Sequence, residues 1–192
     1  MDMFTANKLK NKEDVFIFSY GSNMSNGELL KYNKKINNNK KILFEVMDVG
    51  CISNYEFKYM PLYTSSSNKN LKTAKATIIP ANNNKRSKVY GTITKVSSEL
   101  FKALVKKEGV YKNYYKSQTQ SITSCYTKNK YKCVVFVMTD QYLNRTPTLD
   151  IHSTIKTHPS KRYENLILEA ALHYNFPNNY IKKYLTHTKS PN

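Results

Sequence analysis

The chain has 192 residues, 40% of them hydrophobic, and its 31 Lys and Arg residues outnumber its 13 Asp and Glu residues. This length can bury one substantial core, and no apolar stretch approaches the roughly 20 residues that a membrane-spanning helix needs. The formal charge of +18 raises the question of nucleic-acid or membrane binding. Because the lysines are scattered among asparagine runs and form no arginine-rich groove, we interpret them as a solvated surface. We expect neither a specific nucleic-acid partner nor a membrane partner.

Both ends of the chain are polar. Residues 1–14 lack the apolar stretch of a secretory signal, and we predict a solvated tail there. One domain is predicted over residues 15–187, followed by a C-terminal tail over residues 188–192. A cytoplasmic protein is expected.

The three cysteines, Cys51, Cys125 and Cys133, lack the paired spacing of a disulfide framework or a zinc site. We interpret them as reduced thiols. A strand pairing could bring Cys125 close to Cys133 across a lysine-rich turn, although burial as inert thiols is the preferred interpretation. The four histidines also lack the spacing of zinc ligands.

In the first half of the chain, β-branched and aromatic segments predict strands at residues 15–20, one or two within 42–60, and at 73–79 and 88–96. The last two are separated by an asparagine run and are interpreted as a hairpin. A helix is predicted to follow the first strand, since Ser25 and Glu28 have the spacing of a capping box.

In the second half, apolar residues at helical spacing predict a helix over residues 97–107, which Gly109 would terminate. Strands are predicted at residues 114–123 and 131–138, and helices at 163–174 and 177–185. Strands and helices without a regular βαβ alternation indicate a single α+β domain.

Two segments carry residues that suit chemistry. The Tyr20-Gly21-Ser22-Asn23 sequence lies between a buried strand and a helix, where successive N–H groups can face an anion or a developing oxyanion. Glu108 lies at a predicted helix end. Taken alone, the first segment can be only a strand-to-helix turn, and Glu108 only a solvent-facing carboxylate.

Together, four ordered blocks between about residues 15 and 185 resemble the γ-glutamylcyclotransferase family. The blocks are Tyr20-Gly21-Ser22-Asn23, Val89-Tyr90-Gly91-Thr92, Glu108-Gly109 with Tyr115, and Pro159-Ser160 with Tyr163 and then Ala170-Ala171. Two positions depart from the family pattern: Val105 replaces a common aspartate, and Ala170 replaces a frequent glycine.

The resemblance implies a mixed sheet or small β-barrel with flanking helices, and a reaction that converts small γ-glutamyl amides to 5-oxoproline without a metal or cofactor. It implies that Glu108 is the acid–base residue and that Tyr115 and Tyr163 line the pocket. The γ-glutamyl-binding loop would consist of Ser19, Tyr20, Gly21, Ser22 and Asn23. A homodimer is also expected from the resemblance.

Two alternatives remain at this point. The substrate could be a γ-glutamylamine such as γ-glutamyl-ε-lysine, since leaving-group selectivity lies in variable loops. The chain could also be an inactive member of the fold that binds polyanions, which the +18 charge and the changes at Val105 and Ala170 would suit.

Overall fold

Five strands close into a barrel in the computed structural model, which describes residues 3–38, 40–61, 74–81, 87–143 and 159–185. The strand order around the barrel is β1-β5-β2-β6-β7, and a separate two-stranded sheet is formed by β3 and β4. The strands are β1 (Val15–Ser19), β2 (Phe44–Ser53), β3 (Tyr55–Pro61), β4 (Ala74–Pro80), β5 (Lys88–Val96), β6 (Tyr115–Ser124) and β7 (Lys130–Met138).

The barrel closes where β1 pairs in parallel with β7, while all other neighbouring strands in it are antiparallel. Both of these strands are buried on both faces, which explains their continuous apolar runs. In β1, Phe18 packs in one hydrophobic cluster, and Val15 and Ile17 pack in another on the opposite face. The strand that carries the glycine-containing turn at its end is therefore fixed from all sides.

Helices cover the outside of this pair of strands. The helices are α1 (Met3–Lys10), α2 (Asn26–Asn37), α3 (Ser98–Lys107), α4 (Asp140–Leu143), α5 (Lys161–His173) and α6 (Asn178–Tyr180), which continues as a π-helical turn over Ile181–Leu185. Leu29 of α2 and Phe101 of α3 are fully buried beside Ile17. No helix among the described ranges is long and apolar enough to cross a membrane.

The predicted α+β fold with a small barrel is confirmed, and most predicted strands and helices are present within a few residues. The hairpin predicted between residues 73–79 and 88–96 is wrong. β4 pairs with β3, in the register Phe57↔Ile78, whereas β5 pairs with β1 and β2. Alternating hydrophobicity fixes which face of a strand is buried but not which strand lies beside it.

Two local predictions near the N-terminus are also corrected. Residues 3–10 form α1, in which Thr5 is buried and Leu9 packs against the core, so this segment is not a solvated tail. Ser25 caps α2 by position, but its side chain accepts no capping hydrogen bond, and Glu28 pairs with Lys31 instead. The predicted C-terminal tail lies outside the described residues.

β1 and β5 approach each other closely at Gly91 in β5. Of the five glycines, it is the one at which an added Cβ atom would lie closest to another atom. A Cβ atom there would lie 2.3 Å from the backbone oxygen of Ser19 and 2.7 Å from the Phe18 ring. We expect Gly91→Ala to lower the free energy of unfolding by about 3 kcal/mol, because the end of β1 must move away.

Urea unfolding monitored by circular dichroism would measure this loss, with Gly27→Ala as the matched control. Gly27 lies exposed in the first turn of α2, where an added Cβ meets only the Ser25 hydroxyl at 3.6 Å. The control should be neutral or stabilising by up to about 1 kcal/mol. Equal midpoints for Gly91→Ala and the wild type would contradict the close approach.

Candidate active site

Glu108 stands at the C-terminal cap of α3, where the chain leaves the helix. Ser97 begins the helix by accepting a hydrogen bond from the Leu100 N–H at 3.2 Å. Gly109 ends it in the left-handed conformation with φ of 63°, and a Cβ there would lie 2.6 Å from the Tyr114 ring. The carboxylate is thus held at a defined helix end, and its side chain is 17% exposed.

The turn that follows β1 lies opposite this helix end. Ser22–Met24 form one turn of 3-10 helix, which begins with the Met24 N–H donating to the Gly21 carbonyl at 3.0 Å. Met24 is buried and anchors the turn in the core. A Cβ on Gly21 would lie 3.3 Å from the Ala76 Cβ and 3.4 Å from the Tyr163 hydroxyl, so the glycine lets the turn pack closely against β4 and α5.

Asn23 connects the turn to Glu108. Its side-chain N–H donates to the Glu108 Oε1 atom at 3.0 Å, and its side-chain oxygen accepts a hydrogen bond from the Lys107 ammonium. The Lys107 Nζ atom also lies 3.8 Å from the Glu108 Oε1 atom. The N–H group and the oxygen of the Asn23 side-chain amide are therefore both hydrogen-bonded, which fixes the orientation of the amide and positions one carboxylate oxygen of Glu108.

Two tyrosines hold the backbone of β4 over the site. The Tyr163 hydroxyl accepts a hydrogen bond from the Ala76 N–H at 3.2 Å, and the Tyr115 hydroxyl donates to the Ala76 carbonyl at 2.8 Å. Burial raises the pKa of Tyr163 to about 12, so this side chain is a neutral phenol at pH 7. The Tyr20 hydroxyl instead donates to the Phe136 carbonyl inside the core.

All predicted site residues line one cleft of about 40 Å³, enough for about one water molecule. They are Ser19, Tyr20, Gly21, Ser22, Asn23, Glu108, Tyr115 and Tyr163. Phe18, Ala76 and Phe136 complete the lining and were not predicted. A larger depression of about 660 Å³ at the opposite end of β1 contains the Lys95–Asp14 ion pair but none of the site residues. We place the site in the smaller cleft because hydrogen-bonded polar groups converge there.

Two lysines give the surroundings of Glu108 a positive charge. The Lys75 Nζ atom lies 4.2 Å from the centre of the Tyr163 ring, and the Lys107 Nζ atom lies 4.9 Å from that of Tyr32. Burial lowers the pKa of both lysines, and the Glu108 charge opposes that effect at each. Lys107 could be expected near the site from the sequence because it directly precedes Glu108. No feature of the sequence predicts that Lys75 lies there.

The two departures from the family pattern lie in the core. Val105 is 5% exposed and packs between α3 and the barrel, and Ala170 is 6% exposed in the cluster beneath α5. Neither residue lines the cleft. Among the residues that the structure describes, no three His, Cys, Asp or Glu side chains form a group that could hold a metal ion.

Comparison with known proteins gives a family and a fold. The model of the AIG2-like family matches residues 88–184, just over half of the chain. No curated protein matches the sequence. Among solved structures, a γ-glutamyl cyclotransferase superposes with a TM-score of 0.63 at 16% identity, covering 89% of this chain and 86% of that one.

Two further structures agree over similar lengths. An uncharacterized protein from Homo sapiens has a TM-score of 0.62 at 16% identity, with 93% and 92% of the two chains covered. A yeast γ-glutamyl cyclotransferase described as specific to glutathione has a TM-score of 0.55 at 11% identity, with 92% and 99% covered. At such identities these likenesses establish the fold alone. The chain therefore belongs to the AIG2-like family and has the γ-glutamylcyclotransferase-like fold.

Proposed function

We propose that this chain is a γ-glutamylcyclotransferase that converts γ-glutamyl amino acids to 5-oxoproline and a free amino acid. The observation that carries the proposal is the position of the Glu108 carboxylate, which shares one cleft with the turn after β1 and is oriented by Asn23. The fold shared with two γ-glutamyl cyclotransferases supports it.

The reaction needs no nucleophile from the protein. A γ-glutamyl amide carries its α-amine and γ-carbonyl in one molecule, and folding it brings the two together in a five-membered ring. The amine nitrogen forms a bond to the γ-carbonyl carbon, and the amide C–N bond then breaks. The protein has to hold the folded substrate, move a proton and stabilise the charge that grows on the carbonyl oxygen.

In this proposal Glu108 moves the proton. As a carboxylate it accepts a proton from the α-ammonium group during the attack, and as a carboxylic acid it returns that proton to the departing amine. N–H groups in the turn formed by residues 19–23 supply hydrogen bonds to the oxyanion. Tyr163 is a phenol at neutral pH, and its hydroxyl at the cleft can orient the substrate's polar groups.

The positive charge near the cleft favours one of the two substrate classes that the sequence leaves open. In a γ-glutamyl amino acid the leaving group carries a carboxylate one carbon from the amide nitrogen. In γ-glutamyl-ε-lysine that carboxylate lies at the far end of the lysine side chain beside an ammonium group, and simple γ-glutamylamines lack it. Lys75 and Lys107 both lie close enough to Glu108 to feel its charge. Because such ammonium groups attract carboxylates in a partly dry site, we propose γ-glutamyl amino acids as the preferred substrates.

The role of Glu108 can be tested by Glu108→Gln, which keeps the size of the side chain and removes the base. We expect release of 5-oxoproline from γ-glutamyl-alanine to fall by about 10²- to 10⁴-fold in kcat. Chromatography of the products measures it.

The matched control is Glu99→Gln, an exposed glutamate in the first turn of the same helix. Its turnover should remain close to that of the wild type. Turnover that survives Glu108→Gln would refute the acid–base role, provided that both variants unfold at the wild-type temperature.

The role of Lys75 can be tested by comparing γ-glutamyl-alanine with γ-glutamyl-alaninamide, whose leaving group has no carboxylate. We expect the wild type to prefer γ-glutamyl-alanine, and Lys75→Met to reduce that preference in kcat/KM by about three- to tenfold. Lys58→Met, at an exposed position on β3, is the control and should leave the preference unchanged. A preference for the amide by the wild type would favour a γ-glutamylamine substrate instead.

A further inference from the structure

Two cysteines line a second cleft, which shares no lining residue with the first. Cys51 lies in β2 opposite Thr123 of β6, and Cys125 lies in the turn that follows the end of β6. The Cys125 N–H donates to the Val49 carbonyl at 2.8 Å, which keeps the turn against β2. Because Cys51 pairs with Thr123 and Cys125 follows two residues later, the two side chains lie on the same face, and both line this cleft. Two segments far apart in sequence thus present a pair of thiols on one face.

The pair suggested by sequence is different. From the sequence, Cys125 could approach Cys133 across a turn, although burial as inert thiols was preferred, and Cys133 pairs in register with Gln120 and is completely buried in the barrel. Burial raises the pKa of Cys133 to about 12, and it does not line the second cleft. Cys133 is therefore the inert thiol that the sequence analysis described, whereas Cys51 and Cys125 form a dithiol.

The dithiol lies in an electropositive cleft, where Cys51 is 9% exposed and Cys125 is partly exposed. Lys88 and Lys128 line the same cleft of about 420 Å³, together with the aromatic rings of Tyr90 and Tyr126. Interaction with the neighbouring Cys125 thiol, together with the charges of both lysines, lowers the pKa of Cys51 to about 6 against the opposing effect of burial. The same interaction raises the pKa of Cys125. The two sulfur atoms therefore differ, one being a thiolate at neutral pH and the other a thiol.

We propose that Cys51 and Cys125 are a redox-active dithiol site that reacts with anionic low-molecular-weight disulfides. The Cys51 thiolate attacks one sulfur of the disulfide, forming a mixed disulfide and releasing one thiolate. Cys125 then loses its proton and attacks the Cys51 sulfur, which expels the second thiolate. Two protein thiols are oxidised, one external disulfide is reduced to two thiols, and the bond formed joins β2 to the end of β6.

The roles of the two cysteines follow from their positions. Cys51 carries the thiolate between the lysines, so it is the attacking residue. Cys125 is the resolving residue because it lines the same cleft as Cys51, on the same face, and lies in a turn beyond the strand. An anionic disulfide is favoured because the lysine ammonium groups attract its carboxylates as it enters the cleft.

The test is to incubate the reduced full-length protein with glutathione disulfide and to map the products by mass spectrometry. We expect an intrachain disulfide between Cys51 and Cys125, while Cys133 stays a free thiol. Cys125→Ser should accumulate a mixed disulfide with glutathione at Cys51, and Cys51→Ser should lose the fast reaction. Cys133→Ser is the control and should behave like the wild type.

The pH dependence of the reaction rate tests whether Cys51 is ionised at neutral pH, which mere proximity of two ordinary thiols would not produce. A lowered pKa keeps Cys51 ionised at pH 7, so its reaction rate should change little between pH 8 and 7 and fall by half near pH 6. The rate of an ordinary thiol falls about tenfold per unit throughout this range. A rate that falls in that way from pH 8 downward would overturn the proposed roles.

The preference for anions is tested with Lys88→Gln, at an exposed position in the cleft. This change should slow the reaction with glutathione disulfide by about two- to fivefold more than the reaction with neutral 2-hydroxyethyl disulfide. Equal slowing of both would overturn the preference. Wild-type protein that forms only disulfides between chains, or keeps three free thiols, would overturn the site itself.

Discussion

The candidate site depends on one contact, the hydrogen bond between the Asn23 amide and the Glu108 carboxylate, which joins residues 85 positions apart. Two glycines make this contact possible. Gly91 lets β5 lie against the end of β1, and Gly109 ends α3 directly after Glu108. The barrel fixes one side of the contact and the packing of α3 against β1 and β7 fixes the other.

Local features of the site could be predicted from the sequence because they depend on neighbouring residues. The Ser97 cap and the Gly109 stop define α3, and together they put Glu108 at its end. The family resemblance predicted that Tyr115 and Tyr163 line the pocket, but it did not predict their hydrogen bonds to the Ala76 backbone. The position of Lys75 beside Tyr163 and the pairing of β3 with β4 could not be predicted from the sequence. Both depend on contacts between distant segments, and a hydrophobic pattern does not show which segment packs against which.

The lysines of this chain differ in their surroundings, and therefore in what their charge can do. Many lysines are exposed and fit the solvated surface that the composition suggests. Lys75 and Lys107 are partly buried near Glu108, while Lys88 and Lys128 line the cleft of the dithiol. In both proposals the positive charge lies beside a group that acts as an anion, and in both it would favour anionic ligands. Composition alone could not separate these four lysines from the others.

The most direct test of the proposed function is the identity of the product formed from γ-glutamyl-alanine by the wild-type protein. Intramolecular attack gives 5-oxoproline and alanine in equal amounts, with no glutamate, and it gives no product when the α-amine of the substrate is acetylated. Those results would support cyclisation by the substrate's own amine. Release of glutamate, or turnover of the acetylated substrate, would show that water is the nucleophile and would contradict the account.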